Sequence, residues 1–243
     1  MTARKAKRIV DLVNALAERR VMHLRQAAQL LGVSEMTVRR DIADHADQFT
    51  YLGGHIMSPG QIEGNTPYEI ATAADSHAAA KRDACMHAAV HIHADETIFI
   101  DCGTTLVHLV ELIPDDFQIT VVCYALNVAE RLTRKPNVTM VMLGGLYHPA
   151  SASFSGKDHL DILSRFGINV AFLSAAGVDA LRGATCAHFH EAEVKQKAIS
   201  LARESYLVVD SSKIGKLQRA FFAPMSAFKA MITEHGETPL GES

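Results

Sequence analysis

The sequence is poor in aromatic residues and has no tryptophan: aromatic side chains make up 6% of its 243 residues. This scarcity argues against a surface built on aromatic stacking. The chain also lacks any run of about 18 apolar residues, so we expect no membrane-spanning helix. Polar residues at 11, 14 and 18 interrupt the apolar segment that a signal peptide would need, and none is expected.

Cysteine is scarce as well, with four residues spread along the chain and no CxxC pair. Without a secretory signal, we expect reduced thiols, a cytoplasmic protein and no cofactor. Disorder of the whole chain is excluded, because 48% of the residues are hydrophobic. The length predicts one large domain or two unequal ones.

The formal net charge of −3 is unevenly distributed. Residues 1–45 hold 9 Lys and Arg against 5 Asp and Glu, whereas the remainder holds 15 against 22. A small basic head on a larger acidic body is typical of a nucleic-acid reader joined to a second function. A terminal helix that is basic by chance would give the same balance, so charge alone does not decide.

The basic head has the pattern of a helix-turn-helix. Apolar periodicity predicts helices over 6–17 and 24–31, and Gly32 can end the second of these in a positive-φ conformation. Ser34 is a suitable N-cap for a third helix that runs to about His45. A Gly-Gly turn between two short extended pieces at 51–56 predicts a small hairpin, or wing.

In such a motif, the second helix of the pair enters the major groove of double-stranded DNA and presents its N-terminal side chains to the bases. The alternative is a three-helix packing domain whose arginines are only solvated. On the DNA-binding interpretation, the contacting residues are Ser34, Glu35, Met36, Thr37, Arg39, Arg40, Gly53 and Gly54.

A segment with two prolines and two glycines separates this head from the rest. We therefore predict a DNA-binding domain at 1–57, a linker at 58–67 and a second domain at 68–243. After the linker, a long Ala-rich helix is expected at about 68–92, and a helix at 191–205 carries a clear apolar stripe. Strand-like runs lie at 97–100, 119–124, 138–143, 170–174 and 206–209. Strands alternating with helices predict an α/β fold with a mostly parallel sheet.

Two strands of this sheet run into turns of small residues. Asp101, Gly103, Thr104 and Thr105 lie in the first turn, where backbone N–H groups at a helix N-terminus can hold a phosphate. The second turn contains Ser174, Ala175 and Gly177. Parallel strands bring both turns to one edge of the sheet, where ligands bind.

Lys195, near the start of a later helix, can reach a phosphate or sugar oxygen at that edge. The plainer interpretations are that Thr104 caps a helix and that Glu191 and Lys195 form a surface ion pair.

These motifs resemble the DeoR family of bacterial transcriptional repressors. The resemblance covers the run from Ser34 to Ile42, the two turns, the helix start at Glu191–Lys195 and the Asp-Ser-Ser-Lys-Ile-Gly segment at 210–215. One departure is Leu52, where many members carry Arg before the wing glycines.

The resemblance implies a winged helix-turn-helix on operator DNA and a homo-oligomer. It also implies a sensor domain similar in fold to ribose-5-phosphate isomerase that binds a phosphorylated sugar. Four segments, 101–105, 122–127, 174–178 and 183–186, resemble most closely the members that control deoxyribonucleoside catabolism. For these, the implied effector is deoxyribose-5-phosphate, which releases the repressor from DNA.

Two alternatives remain open. The first is a sugar-phosphate isomerase with a DNA-binding head, in which Asp101, Glu191 and Lys195 would serve as acid-base groups. Against it, the second turn reads Ser-Ala-Ala-Gly, whereas the isomerase has acidic residues there.

The second alternative is a metal-responsive regulator, suggested by 13 histidines. His87, His91 and His93 form one candidate ligand group, and Cys186, His188 and His190 form another. Neither group makes a complete four-ligand set, so no metal site is predicted.

Overall fold

The chain folds into two compact units, residues 1–66 and 67–243, in a computed structural model. The structure describes residues 3–19, 21–45, 49–52, 55–57, 77–156 and 158–240. The linker predicted at 58–67 lies outside these residues. Within them, no helix is long and apolar enough to cross a membrane.

In the described part of the first unit there are three helices and a small antiparallel sheet. The helices are α1 (Ala3–Arg19), α2 (Leu24–Leu31) and α3 (Glu35–Ala43). The strands are β1 (Val21–His23), β2 (Thr50–Leu52) and β3 (His55–Met57), in the order β1-β3-β2. The three predicted helices and the hairpin are confirmed, and β1 is an additional strand that pairs with the hairpin.

The apolar stripes of the helices build the core of this unit. Leu12 and Leu16 of α1 pack with Val38 and Ile42 of α3 in one buried cluster. Gly32 ends α2 with a φ of 64°, a conformation that glycine adopts without strain. The result is a short turn that fixes the start of α3.

The second unit contains a seven-stranded sheet in the order β15-β14-β12-β9-β4-β5-β6. Its strands are β4 (Thr97–Ile100), β5 (Ile119–Cys123), β6 (Val138–Met142), β9 (Ile168–Leu173), β12 (Ala202–Val208), β14 (Ala230–Thr233) and β15 (Gly236–Pro239). All pairs are parallel except β14 with β15. The mostly parallel sheet is therefore confirmed, with one antiparallel edge strand.

Among the described residues of this unit, five helices accompany the sheet: α4 (Ala78–Ala88), α5 (Val107–Glu111), α6 (Leu126–Leu132), α7 (His159–Leu163) and α8 (Phe189–Leu201). A hairpin of β7 (Leu146–His148) and β8 (Ser153–Ser155) stands apart from it. A second small sheet joins β10 (Gly177–Asp179), β11 (Gly183–Cys186) and β13 (Ala220–Ala223).

Two predicted helices differ from those observed. The helix expected at 68–92 is seen at Ala78–Ala88 and tightens into a 3-10 turn at Ala89–His91, while residues 68–76 lie outside the described part. The helix expected at 191–205 ends at Leu201, and β12 begins at once with Ala202. The prediction of helix after Leu201 is wrong because residues 202–205 pair with β9.

The strand order reverses at the centre of the sheet. From β4 the chain proceeds outward through β5 to β6, and from β9 it proceeds the other way through β12 to β14. The turns that follow β4 and β9 therefore diverge and leave a crevice at the carboxyl ends of two adjacent strands. Open α/β sheets bind their ligands at such a reversal.

Candidate functional site

A small cavity, open to solvent, lies at this reversal. Its wall is formed by the segments 102–105, 174–176 and 186–187 and by the side chains of Ser151, Glu191, Lys195 and Lys213. The two turns predicted to meet at one edge of the sheet therefore do meet. The wall also contains residues that the sequence did not single out as contacts, notably Ser151 and Lys213.

Asp101 lies behind the cavity wall and joins the two turns. Its Oδ1 accepts a hydrogen bond of 2.7 Å from the Tyr124 hydroxyl. Its Oδ2 accepts from the backbone N–H and the hydroxyl of Ser174, at 2.8 and 2.9 Å, and from the Lys195 ammonium. Since the carboxylate is fully buried and has four donors, its visible role is to fix the geometry of the site.

Lys195 is almost completely buried on α8, with 1% of its surface exposed. Its ammonium donates to Asp101 and, at 3.1 Å, to the Ser174 carbonyl, and lies 5.2 Å from the centre of the Phe222 ring. Burial opposes the charge of the ammonium, but the Asp101 carboxylate outweighs it, so the pKa of Lys195 is raised. Lys195 therefore remains a cation whose charge is balanced within the protein.

Glu191 is the second carboxyl group at the cavity, one turn before Lys195 on α8. Burial raises the pKa of Glu191 to about 7; Lys195 lowers it in part, the Asp101 charge raises it, and hydrogen bonds from Ser151 and Cys102 lower it. Near neutral pH this side chain is present in both protonation states.

The turn after β4 presents hydrogen-bond donors to the cavity. Gly103 has a φ of 109°, and its carbonyl accepts a 2.9 Å hydrogen bond from the Asn127 amide. Among the described residues, no backbone carbonyl accepts from the N–H groups of Gly103, Thr104 or Thr105. Three amide donors and two threonine hydroxyls in the wall suit an anion with several oxygen atoms.

Lys213 supplies a positive charge to the same wall. It ends a 3-10 turn (Ser211–Lys213) that follows β12 and is capped by the side chain of Asp210. The ammonium lies 4.0 Å from the Asp210 carboxylate, and the lysine side chain is 23% exposed. Lys213 is thus more accessible than Lys195.

The sequence-predicted effector residues fall into three groups: residues that line the cavity, the buried pair of Asp101 and Lys195, and Gly177. Gly103, Thr104, Thr105, Ser174 and Ala175 all line the cavity. Asp101 is buried beneath the wall, and Lys195 reaches the wall while paired with Asp101.

Gly177 belongs to β10. A Cβ atom added at this position would lie only 2.6 Å from the Lys216 carbonyl oxygen. A side chain there would displace the segment that carries Lys213. Gly177 therefore contributes to the site by allowing the Lys216 backbone to pack closely against β10.

The four cysteines are all free and buried, and Cys102 and Cys186 lie in the cavity wall. Burial raises the pKa of Cys186 to about 12 and that of Cys102 well above its ordinary value. Both thiols therefore remain protonated at neutral pH, without the thiolate that metal binding or nucleophilic attack requires.

The two histidine groups considered as metal ligands have other partners. His91 stacks on Tyr206 and lies 2.8 Å from a Glu237 oxygen, and His190 stacks on His148 with ring centres 3.8 Å apart. Across the described ranges, no three His, Cys, Asp or Glu residues are placed to hold a metal ion.

In the first unit, α3 has the form of a recognition helix. The Ser34 hydroxyl accepts from the Thr37 N–H at 3.3 Å and lies 2.9 Å from the Thr37 hydroxyl, so both side chains shape the helix start. On the opposite side, the buried Asp41 carboxylate lies 2.7 Å from the Arg8 guanidinium and ties α3 to α1.

The other predicted DNA-contacting side chains of this helix face solvent. Glu35, Met36, Arg39 and Arg40 are exposed, Met36 to 74%. Glu35 also lies 3.6 Å from the Arg25 guanidinium of α2. The wing residues Gly53 and Gly54 lie outside the described residues.

Comparison with known families matches both units. Residues 8–56 match the DeoR-like helix-turn-helix domain, and residues 76–235 match the DeoR C-terminal sensor domain. The two matches together cover most of the chain.

Individual relatives agree with this assignment. The chain is 37% identical over 234 residues to the deoxyribose operon repressor of Escherichia coli (strain K12), covering 96% of this chain and 92% of the relative. It is 28% identical to the HTH-type transcriptional regulator IolR of Bacillus subtilis (strain 168), and the alignment covers 94% of this chain and 91% of the relative.

A solved structure, ribose 5 phosphate isomerase A from Neisseria gonorrhoeae, aligns with 55% of this chain and 52% of its own. The identity is 19% and the TM-score 0.42, a likeness that assigns no activity. The recognition helix, the cavity at the reversal of the sheet and the matches to both units lead to one conclusion: the chain belongs to the DeoR family of transcriptional repressors.

Proposed function

We propose that this repressor is released from its operator by a phosphorylated sugar, deoxyribose-5-phosphate, bound in the cavity of the sensor unit. The observation that carries the proposal is the wall itself. Free backbone N–H groups, threonine hydroxyls and the Lys213 ammonium surround a space that also contains the Glu191 carboxyl group. An anionic group and a hydroxylated group of one ligand both find partners there.

In this proposal, the phosphate lies against the turn of Gly103, Thr104 and Thr105, with Lys213 as its counter-charge. Backbone N–H groups bind phosphate oxygens well because they are fixed in position and lose little freedom on binding. Lys195 contributes indirectly, since its charge is already balanced by Asp101. The choice of deoxyribose-5-phosphate follows the relative whose name refers to a deoxyribose operon.

For DNA, we propose that α3 lies in the major groove, with Arg39 and Arg40 on phosphates or guanines and Glu35, Met36 and Thr37 near base edges. Ser34 fixes the start of the helix and completes this face. The wing glycines, Gly53 and Gly54, are proposed to lie at the DNA backbone. Dimers or larger oligomers would engage repeated half-sites one helical turn apart.

Release from DNA requires that the effector prefer the arrangement that binds the operator weakly. A ligand with equal affinity for both arrangements would shift nothing, however tightly it bound.

The isomerase alternative is not supported. The family is one of DNA-binding regulators, and the Asp101 carboxylate that the isomerase mechanism would need is occupied by four donors. The second turn contains no acidic residue. The protein should therefore bind ribose-5-phosphate or its deoxy form without converting it, which incubation and product analysis can check.

The test of the proposed function is effector-dependent release. An operator is first selected by the full-length chain from a library of random DNA duplexes. The gel shift on that operator is then titrated with deoxyribose-5-phosphate, ribose-5-phosphate, unphosphorylated deoxyribose and inorganic phosphate. We expect release by deoxyribose-5-phosphate at the lowest concentration. Release by a different sugar phosphate would overturn the choice of effector, and release by none of them would overturn the sensor function.

A further inference from the structure

A chain of polar side chains leads from the surface of the sensor unit to Glu191. The His190 Nε2 lies 3.3 Å from the Ser153 hydroxyl and 3.5 Å from the Ser151 hydroxyl, and the two hydroxyls lie 2.8 Å apart. Ser151 lines the cavity together with Glu191, and a hydrogen bond from Ser151 lowers the pKa of the Glu191 carboxyl group. Both serines are buried, with at most 1% of their surface exposed.

These residues come from two separate elements. Ser151 lies in the turn of the β7–β8 hairpin, and Ser153 is the first residue of β8. His190 and Glu191 are consecutive residues in the first turn of α8. The hairpin is held beside the chain that follows β5, through a bridge between Ala125 and Ser153 and a 2.8 Å hydrogen bond from the Phe154 N–H to the Tyr124 carbonyl.

The hairpin and Lys213 reach the cavity from opposite sides of the reversal in the sheet. Lys213 follows β12, whereas the hairpin lies beside the chain after β5, and β12 and β5 are separated by β9 and β4. Three strand spacings correspond to roughly 14 Å between the two backbones. Ser151 and Lys213, which both line the cavity, therefore approach a bound ligand from different directions.

We infer that Glu191 is the group that recognises a hydroxyl of the sugar, and that Ser151, Ser153 and His190 are positioning residues that hold its carboxylate toward the cavity. The inference rests on the proposed function and names the part of the site that distinguishes a sugar phosphate from a bare phosphate. A carboxylate accepts hydrogen bonds from sugar hydroxyls, and leaving a buried acceptor without its partner is costly.

The hydrogen-bond directions along the chain are mutually consistent. The pKa of His190 is lowered to about 4 by burial and by the nearby His148 and His188, so its imidazole is neutral at pH 7. A neutral imidazole that donates from Nε2 to Ser153 lets Ser153 donate to Ser151, and Ser151 donate to the Glu191 carboxylate. Every hydroxyl then both accepts and donates once.

The charged and titratable groups around Glu191 come from several elements. They are Asp101 and Cys102 after β4, Tyr124 after β5, Cys186 at the end of β11, His190 and Lys195 on α8, and Lys213 in the cavity wall. Of these, the two cysteines have raised pKa values. The ionisation of Glu191 therefore controls the charge that the cavity offers to the sugar near neutral pH.

The test compares two ligands by calorimetry on the full-length chain, deoxyribose-5-phosphate and inorganic phosphate. We expect Glu191→Gln to weaken the binding of deoxyribose-5-phosphate by about tenfold, the effect of losing one hydrogen bond to a charged group. Ser153→Ala should weaken the binding of this ligand by about fivefold. In both variants the affinity for inorganic phosphate should change by less than about twofold. Ser164→Ala is the control, because this hydroxyl at the end of α7 donates to the Leu160 carbonyl at 2.6 Å and does not line the cavity. It should leave both affinities unchanged.

A positioning role also predicts a change in the pH profile. Loss of the Ser153 hydroxyl weakens the hydrogen bond that favours the Glu191 carboxylate, so the pH at which sugar-phosphate affinity is half-lost should move upward in Ser153→Ala. Damage to the fold alone would lower both affinities without moving this midpoint. If the variants lost affinity equally for deoxyribose-5-phosphate and inorganic phosphate, or if the ratio of the two affinities were unchanged in Ser153→Ala and Glu191→Gln, the inference would be overturned while the proposed function would stand. A wild-type chain that binds inorganic phosphate but no sugar phosphate would overturn the proposed function and the inference with it.

Discussion

Asp101 and Lys195, 94 residues apart in the sequence, form a buried ion pair that joins the end of β4 to α8. Both side chains are at most 1% exposed, and the pair also holds Ser174 of the turn after β9. The two turns of the cavity and the helix beside them are therefore fixed by one pair of charges.

Breaking this pair should unfold the sensor unit more easily. Lys195→Met leaves the Asp101 carboxylate buried without its counter-charge, and we expect a loss of about 3–5 kcal/mol in the free energy of unfolding, measured in urea. The double variant Asp101→Asn/Lys195→Met should recover much of this loss. Lys229→Met, at an exposed pair with Glu204, is the control and should cost little. Equal losses in Lys195→Met and Lys229→Met would contradict the structure.

The raised pKa of Glu191 makes the stability of the sensor unit depend on pH. Its pKa rises from 4.5 to about 7 on folding, so the folded state binds more protons between these values. The sign follows: this carboxyl group stabilises the fold below about pH 4.5, and that contribution is lost as pH rises toward 7, by about 3 kcal/mol in total. Unfolding curves of wild type and Glu191→Gln at pH 5 and pH 8 measure the difference. A pH dependence identical in the two proteins would contradict the assignment.

Gly177 should not tolerate a side chain. A Cβ there would lie 2.6 Å from the Lys216 carbonyl and 2.9 Å from the Thr185 hydroxyl. Because the carbonyl belongs to the backbone, Gly177→Ala should displace the segment of Lys213, with about 1–3 kcal/mol of destabilisation, the usual range for overpacking, and weaker effector binding. Gly167→Ala, with open space around the added methyl group, is the control. Thermal unfolding and calorimetry of both variants provide the measurement.

Lys213 should contribute more to phosphate affinity than its neighbour Lys216. Lys213 lines the cavity, whereas Lys216 is exposed and does not appear in the wall. We expect Lys213→Met to weaken the binding of inorganic phosphate and of deoxyribose-5-phosphate by about tenfold each, because each ligand loses one hydrogen bond to a charged group. Lys216→Met should have little effect in the same titrations. If Lys195 rather than Lys213 were the counter-charge, Lys213→Met would leave both affinities unchanged.

Arg40 should contribute to operator binding without deciding the sequence bound. Its side chain is exposed on α3, two residues after the buried Val38. Arg40→Ala should weaken operator and unrelated DNA by similar factors and reduce the slope of log K against log salt by about 1, as expected for one lost phosphate contact. Fluorescence anisotropy across several salt concentrations checks both. A loss confined to the operator would instead indicate a base contact.

Five of the seven strands of the main sheet could be predicted from the sequence, because each contains a run of β-branched and apolar residues. The strands β14 and β15 were not expected, and β15, Gly-Glu-Thr-Pro, has no such run. The ends of the five strands could not be predicted: β9 begins at Ile168, two residues before the predicted start, because Asn169 interrupts the apolar run. The helix predicted to continue past Leu201 shows the same limit, since only the pairing with β9 makes residues 202–205 a strand.

The cavity could be predicted in outline and not in detail. The turns at 101–105 and 174–177 were visible as small residues after strands, and the strand order brings them together. Ser151 and Ser153 gave no signal, because contacts with residues distant in the sequence, the chain after β5 and His190 of α8, bring their hairpin to the site. Asp101 and Lys195 were expected to face the effector, and sequence spacing could not reveal that they neutralise each other beneath it.

The burial of all four cysteines makes them internal reporters of opening. With pKa values raised by burial, to about 12 at Cys85, Cys123 and Cys186, these thiols are almost inert toward alkylating reagents in the folded sensor unit. Cys102 and Cys186 lie in the cavity wall, while Cys85 and Cys123 lie in the core around it. Timed alkylation followed by mass spectrometry therefore resolves which part of the unit opens first, and whether an occupied cavity keeps it closed, without introducing a new cysteine.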